Sequence, residues 1–220
     1  MNVVYVYADT EREWNCSEWR CAVPARALNR TGRHSAQLLS IQDFAHNTPA
    51  AIAACEPADL LVVQRNLFGP VLVAIQHWKA RDKVVIADFD DAYDLMPPSN
   101  PSYRFWAQGL GQRDDGRPVR IDPPPLTQFK WGLRLAHGAT VASKRLASDW
   151  QDFTDPHYLP NYIDLEKYQN IHPEPHDGIW IGWGGSLTHS QSFAGSGVLA
   201  ALKRVCQARP QVKVVIHGND

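Results

Sequence analysis

The chain has 220 residues, 44% hydrophobic and 20% charged, which excludes wholesale disorder and collagen-like structure and allows one large or two small domains. Its 22 Lys and Arg balance 23 Asp and Glu, so no basic surplus drives nucleic-acid binding. Apolar runs such as Val3 to Ala8 fall far below the ~20 residues that cross a bilayer, and the first run lacks the basic stretch that opens a signal peptide. The four cysteines, Cys16, Cys21, Cys55 and Cys206, fit no common zinc spacing. Inert thiols in a reducing, cytoplasmic compartment are expected.

Asn2 to Ala8 predicts a buried strand. Ser17 to Arg30 predicts a helix with Ser17 as N-cap and Gly32 just past its end, broken or kinked at Pro24. A strand over Ser35 to Ile41, a short helix over Pro49 to Cys55 and a strand over Asp59 to Gln64 follow. Then come a helix over Pro70 to Ala80 and a strand over Lys83 to Asp88. Met96 to Pro125, rich in Pro, Gly and polar residues, is too long for an ordinary connection and reads as a functional loop, a lid or a partly disordered insertion. Within it Tyr103, Phe105 and Trp106 form the expected anchored patch. Leu126 to Ala136 predicts a helix, Gly138 to Ala142 a strand, Ser143 to Phe153 a helix capped by Ser143, and His157 to Leu159 a short strand.

Lys167 to Asp177 carries two prolines and reads as a linker. The pattern then restarts with a strand over Gly178 to Trp183, a helix over Ser190 to Arg209 and a strand over Val212 to His217. In that helix Val198, Leu199, Leu202, Val205 and Cys206 fall on one stripe expected to be buried. Continuous apolar strands alternating with helices predict an α/β chain: a Rossmann-like, doubly wound parallel sheet over 1–166 and the start of a second Rossmann-like domain over 178–220. In such sheets ligands sit outside the carboxyl ends of the strands.

The first strand ends without the glycines a dinucleotide fold needs. After the later strand, Gly184, Gly185 and Ser186 precede Thr188, His189 and Ser190 at a helix start, a setting for an anion or for a plain capped turn. The fourth strand runs into Asp88-Phe89-Asp90-Asp91, with Asp94 beyond. This cluster is readable as a solvated acidic turn, as a sugar-binding or catalytic carboxylate, or as a phosphoryl-transfer pair like the haloacid dehalogenase motif. Against the last, Ala92 stands where that motif carries Thr. Arg20 and Arg65 point toward the same edge, as partners of phosphate or as ordinary ion pairs. Of the eight tryptophans, Trp19, Trp106, Trp180 and Trp183 lie in or near these segments. They are readable as sugar-stacking rings or as core.

Taken in order, these segments resemble GT-B glycosyltransferases of the family-4-like kind. The resemblance rests on Trp19 to Leu28 closing on Gly32-Arg33-His34, on Asp59 to Arg65 and on Val85 to Asp91. It continues through Tyr158-Leu159-Pro160-Asn161-Tyr162-Ile163-Asp164 and through Ile181 to Ser186 with Thr188 and His189. It implies an acceptor domain over 1–166, a linker over 167–177 and part of a donor domain over 178–220. The implied reaction moves a sugar from a nucleotide-diphosphate sugar to a hydroxyl of a glycan, lipid-linked or small-molecule acceptor, without a metal or other cofactor. Asp90 and Asp91 would be the catalytic carboxylates. Gly184, Gly185, Ser186, Thr188 and His189 would hold the donor phosphates, and Ser17, Trp19, Arg20, Arg65 and Asn161 would line the acceptor cleft. No Arg or Lys lies between Gly184 and Ala201, where the family often places one. The donor domain of that family runs on for several more β-α units, so a longer protein is expected. Contact with a membrane surface is compatible with a lipid-linked acceptor; a spanning segment and a nucleic-acid partner are not expected. The alternatives are a magnesium-dependent phosphatase or phosphotransferase built on Asp88-Phe89-Asp90-Asp91-Ala92, and a non-catalytic Rossmann-like binding domain.

Overall fold

A computed structural model describes residues 1–9, 15–112, 115–172, 174–185, 193 and 195–217. The chain divides into two units, Met1–Glu166 and Lys167–Asp220. In the first, strands β1 (Asn2–Tyr7), β2 (Ser35–Ser40), β3 (Leu60–Gln64), β4 (Val84–Phe89), β7 (Gly138–Val141) and β8 (Pro156–Tyr158) form one sheet of order β2-β1-β3-β4-β7-β8. Every pairing in it is parallel. The helices are α1 (Val23–Arg30), α2 (Ile41–His46), α3 (Pro49–Cys55), α4 (Pro70–Lys79), α5 (Tyr103–Gln108), α6 (Pro125–Leu135) and α7 (Lys144–Asp149).

Strand order decides where the helices go. The step from β1 to β2 runs one way along the sheet, and every later step runs the other way. With right-handed crossovers this sends α1 to one face and the later crossover helices to the opposite face. The two buried clusters record the split. Val3, Tyr5 and Val62 pack with Cys21 and Ala25 on the α1 face. Val4, Val6, Leu61, Val63, Val85 and Phe89 pack with Phe44, Ile75, Trp78, Phe129, Leu133 and Trp150 on the other. The apolar runs of the strands thus feed two cores, as strands covered on both faces must. The larger core is centred on Phe89, whose ring meets Phe129 at 5.0 Å and Trp150 at 5.2 Å, both edge-on. Such pairs contribute about 0.5–1.5 kcal/mol each beyond burial. Gly132 of α6 permits a close approach, because a Cβ there would stand 2.6 Å from the Leu67 Cβ.

Several local expectations need correction. The strand expected to reach Ile41 stops at Ser40, which caps α2: its hydroxyl oxygen accepts from the Asp43 N–H and its O–H donates to the Asp43 carboxylate. The helix expected over Ser17 to Arg30 is two pieces, a π-helical turn over Glu18–Ala22 and then α1, with Pro24 in the first turn of the second piece, where a missing N–H costs little. Ser17 makes no cap hydrogen bond. Ser143 does cap, accepting from the Leu146 N–H, yet α7 ends at Asp149 rather than Phe153. Met96 to Pro125 is not structureless: it contains α5 and an antiparallel hairpin of β5 (Leu110–Gln112) and β6 (Pro118–Arg120). Trp106 is buried there against Tyr93 at 4.5 Å and Phe68 at 5.6 Å, whereas Tyr103 is half-buried.

In the second unit β9 (Ile179–Gly184) and β10 (Val212–His217) pair in parallel, joined through α8 (Val198–Ala208). The expected buried stripe is only partly covered. Val198 and Val205 are exposed, and Leu199, Leu202 and Cys206 are half-buried. The expected helix start at Ser190 lies outside the described residues. Among the described residues no helix is long and apolar enough to cross a membrane.

Candidate functional site

The chain leaves β1 and β3 in opposite directions along the sheet, and a doubly wound sheet opens its ligand crevice at that reversal, beyond the carboxyl ends of the strands. Asp9 follows β1, Gln64 closes β3, Arg65 follows it, and Asp90 follows β4. Ser17 joins them from the turn before Glu18. Gln64 is 1% exposed, and its side-chain carbonyl accepts from the Ala8 N–H at 2.9 Å and the Ser17 hydroxyl at 2.8 Å. Ser17 in turn accepts from the Asp9 N–H. These bonds fix the Gln64 amide and explain why Ser17 does not cap the helical turn.

Arg65 has φ of 58°, in the left-handed region. A non-glycine residue held there costs about 1 kcal/mol or more, and such strain gathers at functional sites. The twist carries its guanidinium across the strand ends, where Nη1 lies 3.1 Å from Asp9 and Nη2 3.4 Å from Asp90. Burial opposes the charge on Arg65, but Tyr93, Asp90 and Asp9 around it outweigh that effect, so it stays protonated. Burial, and after it the neighbouring Asp90, push the Cys16 thiol up to about 12, so it is no nucleophile near neutrality. Burial raises the Tyr93 phenol likewise.

Three buried polar atoms at this edge have no hydrogen-bond partner among the described residues: Gln64 Nε2, Arg65 Nε and Asp90 Oδ1. Two are donors and one is an acceptor. Buried polar groups are paired in the great majority of cases. A hydroxyl, which both donates and accepts, is a chemical match for such a set.

Asp88 behaves differently. It is 1% exposed and accepts from Arg20 Nε at 2.9 Å, Arg20 Nη2 at 2.5 Å and the Thr140 hydroxyl at 2.5 Å. Burial pushes its carboxyl upward, against the pull of Arg20. A carboxylate so enclosed is out of reach of an incoming phosphate. In the dehalogenase-like reading Asp88 would be the nucleophile, so that reading loses its first residue.

Arg20 itself is 2% exposed, and its remaining nitrogen donates to the Leu159 carbonyl at 2.6 Å and Asn161 Oδ1 at 2.9 Å. Arg20 and Asn161, expected at phosphate or acceptor, are instead a cross-tie between the sheet and the segment after β8. Asp91 is exposed, in contrast to Asp90, whose side chain is 11% exposed. Trp19 is half-buried and borders a cavity beside α1 rather than the strand-end cluster.

In the second unit Gly184 closes β9, and the Gly185 N–H donates to the His217 carbonyl at 3.0 Å, so that amide is not free for an anion. Among the described residues, a Cβ on Gly184 would meet only the His217 oxygen, at 3.8 Å. Ser186, Thr188 and His189 lie outside the described residues. Asp9 and Gln64, now central, were not singled out from sequence. A polar residue closing the apolar run Asp59-Leu60-Leu61-Val62-Val63-Gln64 was the available signal. Among the described residues no three His, Cys, Asp or Glu converge as metal ligands. Neither the protein-family models nor the curated proteins compared with the chain give a match.

Proposed function

We propose that the chain belongs to an enzyme that transfers a sugar from a nucleoside-diphosphate sugar to an acceptor hydroxyl, with the acceptor held by the first unit. The observation that carries this reading is the set of unpartnered atoms on Gln64, Arg65 and Asp90 at the carboxyl ends of β3 and β4. Asp90 Oδ1 accepts the acceptor O–H and takes its proton as the oxygen attacks the anomeric carbon. The bond from that carbon to the phosphate oxygen breaks, and the nucleoside diphosphate leaves with the electron pair. Arg65, held charged between Asp9 and Asp90, orients the Asp90 carboxylate. The order of sequence segments favours the second unit as the donor side, with Gly184, Ser186, Thr188 and His189 toward the diphosphate.

The test is a panel of uridine and guanosine diphosphate sugars, read by thermal shift and by released nucleoside diphosphate, with and without chelator. Binding that survives chelation supports the reading. Hydrolysis of simple phosphate esters that needs magnesium, with no response to any nucleotide sugar, overturns it in favour of phosphoryl transfer.

A further inference from the structure

Because the crossover rule puts only α1 on its face of the first sheet, that face is completed by the segment Leu159–Glu166, which passes beside α1 after β8. Between them lies a cavity of about 580 Å³. Tyr5 forms part of its floor, Trp19, Val23 and Ala27 its helix side, and Pro160 and Ile163 its outer side. Asp90, Gln64 and Arg65 do not border it, so it is separate from the strand-end cluster.

We propose that this cavity binds a single hydrocarbon chain carrying an uncharged head, as in a fatty or isoprenoid alcohol. Its volume lies within the range of about 300–1,000 Å³ usual for small-molecule sites. Most of its lining is aromatic and aliphatic, with Arg20, Arg30, Asp164 and Glu166 the charged residues among it. The charges at its rim are matched to one another: Asp164 accepts from Arg26 and Arg30 at 3.3 Å each, Glu166 accepts from Arg30 at 3.2 Å, and Arg20 is bound to Asp88. Arg26 and Arg30 are thus already shared among Glu18, Asp164 and Glu166, so the site carries no surplus positive charge for an anionic head. Tyr162, Ile163 and Leu165 on the outer segment are 62%, 56% and 67% exposed, apolar surface that a bound chain would cover. The inference does not depend on sugar transfer.

The experiment is an NMR titration of the full chain with dodecanol, farnesol and laurate, following the Trp19 indole and the Ala27 methyl. Saturable one-to-one binding of at least one alcohol is expected, and the tighter of the two distinguishes a straight from an isoprenoid chain. Ala27→Trp fills the cavity from an exposed helix position, and Ile163→Asp places a charge on its outer side. Each should weaken alcohol binding by about tenfold or more. Melting points matching the parent show that the fold is intact, and if Ala27→Trp fails to fold, Ile163→Asp carries the test alone. The proposal is overturned if neither alcohol saturates, if folded variants bind as the parent does, or if laurate binds more than about tenfold tighter than dodecanol.

Discussion

Replacing Arg20 with Met tests the central cross-tie. The parent side chain is 2% exposed and makes two hydrogen bonds to Asp88 and two to the Leu159 carbonyl and Asn161. Methionine fills much of the space but leaves Asp88 with Thr140 alone. Four charge-assisted bonds at about 1.5–3 kcal/mol each would sum to more than the fold of such a unit can lose. The loss is bounded, however, because Asp88 can take up a proton once its partner is gone. Removing one member of a buried pair costs about 3–5 kcal/mol. For a chain of this length each kcal/mol moves the melting midpoint by about 2–4 °C, so a fall of about 6–20 °C is expected. The pH dependence gives a second readout. Burial already pushes Asp88 upward, and without Arg20 only the Thr140 hydrogen bond opposes it. A carboxyl raised in the folded state contributes stability that is present below its unfolded value, near 3.9, and lost as pH rises through the folded value. The deficit of the variant should therefore be largest at neutral pH and shrink on acidification. The double variant Arg20→Met, Asp88→Leu should recover most of the loss, since an apolar pair replaces an ionic one. Calorimetric melting of the three chains across pH checks all of this. A single-variant loss below about 1 kcal/mol, or one that does not depend on pH, would refute the account of a buried, mutually dependent pair.

Asp90→Asn should lower sugar transfer by about 2–4 kcal/mol of transition-state stabilisation in steady-state kinetics, while Asp91→Asn, at an exposed position, should cost less than about tenfold in rate. Losses below about tenfold at both positions would return the cluster to an acidic turn. Gly132→Ala gains up to about 1 kcal/mol of helix propensity but forces a Cβ to 2.6 Å from the Leu67 Cβ. Overpacking costs about 1–3 kcal/mol, so a net loss in urea midpoint is expected. At Asp164 desolvation works upward, but Arg30 and Arg26 prevail and hold its carboxyl below the ordinary range. Its contribution is therefore present above the ordinary carboxylate value and lost as pH falls through the lowered one. Protection of the amides in Leu159–Glu166, measured against their intrinsic exchange at each pH, should fall over that acid window, and Asp164→Asn should remove the dependence.

The alternation of strand and helix was legible because each run carries its own apolar signal. The order of strands was not, since nothing local says that β3 rather than β2 continues the sheet past β1 on its other side. Helix α2 was hidden by Leu38, Leu39 and Ile41, which read as one continuing strand. Its signature, Ser40 three residues before Asp43, resembles a capping box and was present all along. At the site, Asp90 and Arg65 were readable from their place just after strands. The role of Arg20 was not, because its partner Asp88 lies 68 residues away, and no spacing rule links a helix residue to a strand end at that distance. Gln64 went unnoticed because a buried amide is recognised by the bonds it makes, and those come from Ala8 and Ser17.

Within the second unit, the β9–β10 pair has two outer edges that no described strand occupies. The two edges are not equally guarded. Lys213 stands on β10, with its amine over the Trp180 ring, and a charge on an edge discourages a further strand from docking. Ile179–Gly184 of β9 carries no charge and no proline, and Ile179 and Trp180 are exposed on it. A strand with free backbone groups on one side and no gatekeeping residue is a template for growth. Self-association of this unit at high concentration is therefore expected to begin on the uncharged β9 edge, and Ile181→Lys should suppress it.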